Sequence, residues 1–286
     1  MIVATLGRPD RLLSLIAGVV ACEPPPMEIV VVDGDASEAS REALAMLATD
    51  RTPISYVTSP PGLTKQRMAG LDRARAELVL FLDDDVEIPG NTFAELAAAY
   101  ADAGVVGVTG RVLEPSDRVV GKTSRLRRYL PGGGTEGGFT RYGYPRRVLG
   151  NQASDIRFMQ GCFMSARLLP ARETGFDTAL PGYGLAEDED FSYRLSTRGR
   201  IRYLPDLHIV HHNQGFSSRD QRAFNRTVVV NRAYLFRKNF SRTLLARLQF
   251  GGFIGLLLLH RVINREWQAV RGLLEGSMDA WRKQAP

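Results

Sequence analysis

The sequence predicts an α/β fold in which helices flank a mostly parallel, Rossmann-like sheet, with a helical appendage at the carboxyl end. Apolar runs of strand length alternate with amphipathic helical stretches over the first 113 residues, an order typical of parallel sheets with right-handed crossovers. One of these runs, Leu78–Leu82, leads directly into three consecutive aspartates. The stretch from Ser218 to Lys283 is instead helical in pattern throughout and strongly basic.

Each strand and helix of the first half has a local reason. The strands are uninterrupted apolar runs, as in strands that are buried on both faces. Pro9 opens the first helix, because its fixed φ suits a first helical position, and the triple proline at 24–26 ends it. The predicted strands are Met1–Thr5, Met27–Val32, Ile54–Val57, Leu78–Leu82 and Val105–Leu113, and the predicted helices are Asp10–Ala21, Glu38–Ala48, Thr64–Ala76 and Asn91–Ala103.

The second half differs in composition. Residues 114–150 are rich in glycine and arginine, which favours a long loop over the carboxyl edge of the sheet, with arginines that could meet an anionic acceptor. The order of elements continues with an extended stretch at Arg157–Ala166, a helix at Ala186–Thr197, and two short strands, Ile201–Leu204 and Leu207–Val210. We predict a catalytic domain over residues 1–217, with halves at about 1–113 and 114–217, and a tail over residues 218–286.

Positive charge is concentrated in the tail. The chain carries a net charge of +6, but residues 219–283 hold 13 Arg or Lys and 4 Asp or Glu, a net of +9, which leaves −3 for the rest. Basic residues interleave with aromatic and aliphatic ones, as in helices that lie in the interface of an anionic membrane. We therefore predict contact with an anionic membrane surface and no nucleic-acid partner, with a helical cap or a homodimer face as alternatives.

The compartment follows from the cysteines and the apolar runs. Cys22 and Cys162 are far apart and lack metal-binding spacing, which favours a reducing compartment. The longest uncharged apolar run, Phe250–Leu259, has ten residues, whereas a membrane-spanning helix needs roughly 18. We predict a cytoplasmic protein that is peripheral at the inner face of the plasma membrane.

The three aspartates Asp83, Asp84 and Asp85 mark the candidate site. Adjacent carboxylates cannot all stay ionised in a dry interior, so they must lie at the exposed carboxyl end of their strand. Ligands of open α/β sheets bind at that end. Oxygen ligands on one short turn suit Mg²⁺ or Mn²⁺ holding a phosphate-bearing substrate; a solvated acidic strand end is the alternative.

A second acidic group opens the predicted helix downstream. Residues 187–190 are all acidic, and the helix dipole favours negative charge in a first turn. Four acids are more than capping needs, so some of them are candidates for chemistry. Asp190 and Arg194 lie one turn apart, and we expect them to pair and brace the helix.

Taken in order, these pieces resemble glycosyltransferase family 2, the inverting enzymes with the GT-A fold. The resemblance rests on the strand ending in Asp33, on the segment GLTKQRMAGLDRARAELVLFLDDD, and on the downstream pattern GFD, EDED, Arg and His. It covers about Met1–Phe216. It implies transfer of a sugar from a nucleotide sugar, with a divalent cation, Mn²⁺ or Mg²⁺, bridging the two phosphates of the leaving group.

The resemblance implies a donor and metal site at the strand ends. Asp85 is the implied direct metal ligand, and Asp83 a second one. Either Asp83 or Asp84 is also expected to reach the ribose, or the metal through water. The other implied donor-binding residues are Thr5, Asp33, Arg67 and Gly161.

The resemblance also implies a base and a further metal ligand. Inversion needs a general base on the acceptor hydroxyl, opposite the leaving group. The implied base is Asp188, with Glu189 as an open alternative. The implied ligand is His211, at the end of a short strand, with His212 as second choice and His208 as a further candidate. The implied acceptor-side residues are Gly175, Phe176, Asp177 and Glu187.

We therefore expect a metal-dependent inverting glycosyltransferase, similar to bacterial rhamnosyltransferase-like members, with a polyprenyl-linked or cell-envelope glycan as acceptor. The donor stays open among dTDP-, UDP- and GDP-sugars, because the family's usual residues after the first two strands are replaced here by TLGRPD and DGDAS. One alternative is a nucleotidyltransferase, although Leu6–Pro9 is short for its glycine-rich phosphate loop. Another is a catalytically inactive adaptor at the membrane surface.

Overall fold

The computed structural model describes residues 1–35, 37, 39–45, 47, 51–113, 133–148, 150–212 and 220–282. Within these ranges the chain forms nine strands and nine helices. The strands are β1 (Ile2–Thr5), β2 (Ile29–Asp33), β3 (Ile54–Thr58), β4 (Leu78–Asp83), β5 (Val86–Glu87), β6 (Val105–Leu113), β7 (Ser154–Ile156), β8 (Phe163–Arg167) and β9 (Arg200–His211). The helices are α1 (Pro9–Val20), α2 (Ala39–Ala45), α3 (Leu63–Arg73), α4 (Thr92–Ala99), α5 (Leu168–Thr174), α6 (Glu187–Leu195), α7 (Gln221–Asn239), α8 (Leu244–Ile263) and α9 (Trp267–Arg282).

The first half of the sheet is parallel, as predicted. The strand order is β3-β2-β1-β4-β8-β6-β9-β5, with β7 paired to β9. Strands β1 to β4 pair in parallel, and β1 and β2 are buried along their whole length. Helix α1 covers them with an apolar stripe. The buried residues of that stripe are Leu12, Leu15, Ile16 and Val19.

The second half of the sheet is mixed rather than parallel. Strand β8 lies between β4 and β6 and runs antiparallel to both, so the predicted extended stretch at Arg157–Ala166 is a strand only from Phe163. The two short strands predicted after α6 are one strand, β9. Its register against β6 shifts between Gly110 and Arg111. The residues that break the apolar pattern, among them Pro205, are accommodated in this irregularity instead of ending the strand.

The strand ends that carry the polar residues meet at one edge of the sheet. Thr5 is paired in register with Asp33 on β2, and Ala4 is paired with Asp83 on β4. The short strand β5 follows the aspartate triplet, and its Val86 is paired with His211 on β9. The sheet therefore brings the triplet next to the end of β9.

The chain divides into two compact units. The first comprises residues 1–115, 149–178 and 182–213, and it contains every residue predicted for the site. The second comprises residues 116–148, 179–181 and 214–286. Residues 133–148 of the predicted loop thus group with the tail helices. The predicted boundary at 217 and 218 lies outside the described residues, as do Arg125, Arg127 and Arg128 of that loop.

Helices α7 and α9 of the second unit pack with their backbones in close approach. A Cβ atom placed on Gly272 would lie 2.2 Å from the carbonyl oxygen of Arg222, and one on Gly276 would lie 2.6 Å from that of Arg226. Only glycine therefore fits at these two positions of α9. The buried core beside this contact includes Tyr142, Val229, Phe236, Ala246, Phe253, Ile254 and Leu273.

Helix α8 extends well beyond the uncharged run Phe250–Leu259. In the part of the chain that the structure describes, it is long and apolar enough to cross a membrane, by length and composition alone. Only 17% of its most apolar 18-residue stretch is buried. The sequence argument considered uncharged runs alone, whereas α8 continues its apolar pattern past Arg247.

Candidate active site

The central aspartate of the triplet, Asp84, is buried at the junction of β1 and β4. The Thr5 hydroxyl donates to Asp84 Oδ2 at 2.6 Å, and Nη2 of Arg8 lies 2.7 Å from Oδ1. Burial is the largest influence on the pKa of Asp84 and raises it to about 6, although Thr5 and Arg8 act in the opposite direction. Asp84 thus ties the two strand ends together, and its contact with the donor stays a prediction.

The outer aspartates lie beside His211. Asp83, Asp85 and His211 each offer one ligand atom, and these atoms lie within 4.8 Å of one another. His211 Nε2 is 3.2 Å from Asp85 Oδ1, and Arg11 Nη1 donates to Asp85 Oδ2 at 3.1 Å. Burial alone would raise the pKa of Asp85, but His211, Arg8 and Arg11 outweigh it and lower the pKa. Two carboxylates with an imidazole form a donor set that fits Mn²⁺ or Mg²⁺.

The three candidate histidines have different surroundings. His211, at the end of β9, has a side chain that is 15% exposed and joins the two aspartates. His212 points Nε2 at Glu87, 2.8 Å away, and its side chain is 46% exposed. The Nδ1 atom of His208 lies 2.9 Å from the carbonyl oxygen of Asp206. The geometry therefore favours His211, the first choice from the sequence.

Asp33 is buried at the end of β2 and anchors two loops. Its Oδ1 accepts hydrogen bonds from the backbone N–H groups of Gly7, at 3.3 Å, and Asp35, at 2.9 Å. Its Oδ2 accepts from the Tyr56 hydroxyl at 3.1 Å. The amide of Gln66 closes the same region by donating to the carbonyl oxygen of Thr5 at 2.6 Å. The predicted contact of Asp33 with a nucleotide base stays a prediction.

Arg67 crosses from α3 into the middle of the site and is 2% exposed. Its Nη2 donates to Asp83 Oδ1 at 3.0 Å and to the carbonyl oxygen of Gly161 at 2.8 Å, and its Nη1 donates to Glu187 Oε1. The guanidinium carbon lies 5.6 Å from the ring centre of Phe176. Burial would lower the pKa of Arg67, but the surrounding carboxylates outweigh burial and raise it.

Glu187, the first residue of α6, is the partner of Arg67 and is 5% exposed. Its second oxygen, Oε2, is buried and has no hydrogen-bond partner among the described residues. Burial is the largest influence on the pKa of Glu187 and raises it to about 8. The negative charges of Asp188 and Asp83 act in the same direction, and Arg67 opposes them.

Asp188 is half-buried, and backbone N–H groups hold both of its oxygens. Gly161 N–H donates to Oδ2 at 3.0 Å, and Glu189 N–H donates to Oδ1 at 2.9 Å. A Cβ atom on Gly161 would lie 3.1 Å from Glu187 Oε1 and 3.3 Å from the Asp188 Cβ, so a side chain there would press on both acids. Asp188 is better placed to meet a substrate than the buried Glu189.

The predicted brace along α6 is confirmed. Arg194 and Asp190 form an ion pair with nitrogen and oxygen 2.6 Å apart, one helical turn from each other. Arg194 also donates to the carbonyl oxygen of Gly175 at 2.6 Å. The pair therefore connects α6 to the GFD segment that follows α5.

The GFD segment, Gly175–Asp177, contacts α6 through its backbone and the core through the Phe176 side chain. Its backbone is held by Arg194, but the Phe176 side chain is buried and stacks on Phe191, with ring centres 4.4 Å apart. Phe176 also meets the edge of Phe81 at 5.2 Å. The side chain of Phe176 thus packs in the core and supports Arg67. An acceptor-side role for the three residues stays a prediction.

The sequence model of glycosyl transferase family 2 matches residues 1–168, more than half of the chain. The chain belongs to this family. No curated protein matches the sequence at a significant level. Membership decides between the two enzyme classes that the sequence left open: this is a glycosyltransferase rather than a nucleotidyltransferase.

Solved glycosyltransferase structures share the fold of this family 2 enzyme. The mannosyltransferase PcManGT from Pyrobaculum calidifontis, in complex with GDP-Man and Mn²⁺, has a TM-score of 0.60 at 13% identity and matches 98% of this chain and 86% of its own. TarS from S. aureus, residues 1–349 with UDP-GlcNAc, has a TM-score of 0.54 at 16% identity, with coverages of 97% and 91%. GalNAc-T7 with UDP, GalNAc and Mn²⁺ has a TM-score of 0.59 at 16% identity; 82% of this chain matches about half, 49%, of that protein. The predicted GT-A fold is confirmed.

Sequence reasoning missed four residues of this glycosyltransferase site. Arg8 and Arg11 pair with the aspartate triplet, Tyr56 holds Asp33, and Gln66 bridges strand ends. The two arginines could have been found from the sequence, because they follow the carboxyl end of the first strand. The aspartates of the neighbouring parallel strands lie at the same edge of the sheet. The buried Gln66 and the partly buried Tyr56 could not have been found, since a single polar residue in a helix or strand has many possible partners.

Proposed function

We propose that this family 2 enzyme is a metal-dependent inverting glycosyltransferase that uses a nucleotide-sugar donor. The observation that carries the proposal is the double contact of Arg67, which bonds to Asp83 at the end of β4 and to Glu187 at the start of α6. One guanidinium group spans only a few ångströms. The metal-type aspartates and the acid-rich helix therefore share one site, as an inverting transfer requires of its leaving-group side and its base.

Asp83, Asp85 and His211 would hold Mn²⁺ or Mg²⁺. When bound, the cation would act as a Lewis acid on the diphosphate of the donor and stabilise the charge that develops on it. Structures of similar fold contain GDP-Man with Mn²⁺, or UDP-GlcNAc, which supports a nucleotide sugar as donor. The proposed donor is a dTDP-, UDP- or GDP-sugar.

Asp188 is the proposed general base. It takes the proton from the acceptor hydroxyl while the hydroxyl oxygen bonds to the anomeric carbon and the nucleoside diphosphate leaves from the opposite face. The N–H groups of Gly161 and Glu189 fix the direction of the carboxylate, whose two oxygens can each accept more than one hydrogen bond. The exposed part of Asp188 gives a hydroxyl access to it.

We further propose that the acceptor is a polyprenyl-linked or other cell-envelope glycan, met at the cytoplasmic face of the membrane. Support comes from the second unit, whose helices α8 and α9 expose large apolar side chains together with arginines. Such helices bind anionic membrane interfaces by burying apolar area and attracting headgroups. The exposed apolar residues of α8 and α9 are Leu244, Leu245, Leu248, Leu256, Leu259, Val262, Ile263, Trp267, Leu274, Met278 and Trp281.

A donor screen tests the catalytic proposal. The protein is mixed with Mn²⁺ and single nucleotide sugars, and the shift in melting temperature and the release of nucleoside diphosphate are measured. Asp85→Ala should abolish the Mn²⁺-dependent response to the donor, because it removes a metal ligand. Asp155→Ala, at an exposed aspartate paired with Arg202, is the matched control and should respond like the wild type. Equal donor affinity in Asp85→Ala and the wild type would contradict the metal assignment.

A vesicle experiment tests the membrane proposal separately. Trp267→Ser combined with Trp281→Ser removes two exposed aromatic side chains, 57% and 92% exposed, and should weaken co-sedimentation with anionic vesicles. Leu169→Ser, at an exposed leucine of the first unit, is the control for a general loss of apolar surface. Undiminished co-sedimentation of the double variant would reject these helices as the membrane surface.

A further inference from the structure

Arg67 makes more contacts than charge neutralisation requires. A buried arginine needs one carboxylate to balance its charge, and Arg67 contacts two acidic side chains, Asp83 and Glu187. Arg67 nevertheless divides its donors between Glu187, Asp83 and the carbonyl oxygen of Gly161. This planar fork with fixed directions is a geometric constraint that a point charge would not impose.

The contact with Gly161 leads directly to the proposed base. The carbonyl oxygen of Gly161 accepts from Arg67, and the N–H of the same residue donates to Asp188 Oδ2 at 3.0 Å. Glycine has the widest backbone freedom of all residues, so the two peptide planes that meet at Gly161 have to be held separately. The carbonyl oxygen of Gln160, in the plane that carries the Gly161 N–H, accepts from Phe163 N–H at 2.9 Å, and Arg67 holds the other plane through the Gly161 carbonyl oxygen. The buried ring of Phe176 supports the guanidinium.

We propose that Arg67 is a positioning residue for Asp188: it orients the carboxylate through the backbone of Gly161. This inference rests on the proposed function, since it concerns the base of that reaction. The family resemblance instead implies a direct contact between Arg67 and the donor. A guanidinium that is 2% exposed and bonded to three partners has little access to a diphosphate, which argues for positioning.

The test separates orientation from neutralisation with two variants that differ only at residue 67. Arg67→Met with Glu187→Gln removes both members of the buried pair, so the double variant avoids the buried, unpartnered Glu187 side chain that could unfold Arg67→Met. It is compared with Glu187→Gln alone. Arg67→Lys keeps the charge but loses the fork. The readouts are donor affinity by titration calorimetry with Mn²⁺, and kcat for hydrolysis of the nucleotide sugar that shifts the melting temperature most.

If Arg67 positions Asp188, substitutions of Arg67 should lower kcat but leave donor affinity nearly unchanged. In Arg67→Lys, and in the double variant relative to Glu187→Gln, kcat should fall by about 10- to 100-fold while donor affinity changes little. Arg172→Lys is the matched control, because Arg172 also binds backbone carbonyl groups, those of Leu71 and Ala74, but lies outside the site. Arg172→Lys should lower the melting temperature, but it should not lower kcat relative to donor affinity.

Two results would overturn the inference. If the double variant has the kcat of Glu187→Gln, Arg67 only neutralises Glu187. If donor affinity falls as far as kcat, Arg67 is a donor ligand. Failure of the proposed function itself would look different, because wild-type protein would then neither bind nor hydrolyse any nucleotide sugar with Mn²⁺.

Discussion

Helices α6 and α7 are built on opposite principles. Helix α7 follows local rules: the Asp220 side chain caps it by accepting from Arg222 N–H and Ala223 N–H, and basic residues fill its last turn. Helix α6 has no side-chain cap, and the residue before it, Ala186, has φ of 70°, in the left-handed region that alanine avoids.

The two helices also differ in how their charges are paired. Arg222 and Arg226 of α7 pair with partly exposed acids of α9, where water screens the interaction. The first turn of α6 instead buries Glu187, Glu189 and Asp190. A segment that breaks local rules has to be held by distant residues, and such segments are typical of functional sites. Arg67, 120 positions before Glu187, is such a residue.

The largest expected effect is catalytic and concerns α6 alone. Asp188→Asn should lower kcat by roughly 10²- to 10⁴-fold, because the amide cannot take the acceptor proton, while donor affinity stays near the wild-type value. Asp220→Asn at the start of α7 is the matched control, since asparagine caps a helix as well as aspartate. If Asp188→Asn were about as active as the control, Asp188 would not be the general base, and α6 would not differ from α7 in a catalytic role.

The second effect concerns stability. Arg67→Met should lower the free energy of unfolding by about 3–5 kcal/mol, because it leaves Glu187 buried without its partner. Arg222→Met should change the free energy of unfolding little, because its partner Glu275 can be hydrated. Urea unfolding of both variants gives the comparison. Similar losses in the two would mean that burial does not distinguish the helices.

The third effect is a pH dependence of opposite sign in the two acids. The pKa of Glu187 is raised to about 8 from 4.5, mainly by burial, so its contribution to stability is complete below pH 4.5 and is lost as the pH rises through 8. The pKa of Glu275 is lowered by Arg222, so its contribution is lost as the pH falls. Between pH 4.5 and 8, Glu187→Gln should therefore flatten a decline in unfolding free energy, whereas Glu275→Gln should not.

The smallest effects come from the helix starts and have opposite signs. Asp220→Ala removes the cap of α7 and should cost about 1 kcal/mol of stability. Ala186→Gly relieves the left-handed backbone before α6 and should leave stability unchanged or raise it by up to about 1 kcal/mol. Thermal unfolding of the two variants side by side measures both. A clear loss of stability in Ala186→Gly would mean that contacts of the Ala186 methyl group matter more than the strain of its left-handed backbone.

The same contrast explains what could be predicted from the sequence. The apolar strands, the helices of the tail and the Asp190–Arg194 pair depend on neighbours within a turn or a strand, and each was predicted. The triplet was recognisable because apolar strand and acidic end are adjacent in sequence. These features carry their physical reason within a few residues.

What could not be predicted depends on pairings across long separations. The insertion of β8 between β4 and β6 makes the sheet mixed, and no local pattern distinguishes an antiparallel neighbour from a parallel one. The contacts of Arg67 with Gly161 and Glu187 join α3 to residues about a hundred positions away. Arg67 was recognised through family resemblance, but its burial and partners required the fold.

The glycine contacts between α9 and α7 affect how the tail can be dissected. Since Gly272 and Gly276 lie against the carbonyl oxygens of Arg222 and Arg226, shortening the protein before α9 would strip these oxygens and the neighbouring Val229 of their cover. The truncated protein would expose apolar surface of α7 that α9 normally covers, and this new surface alone would be enough to bind vesicles. Point substitutions on the outer side of α9 avoid this artefact, whereas Gly272→Ala would push the two helices apart.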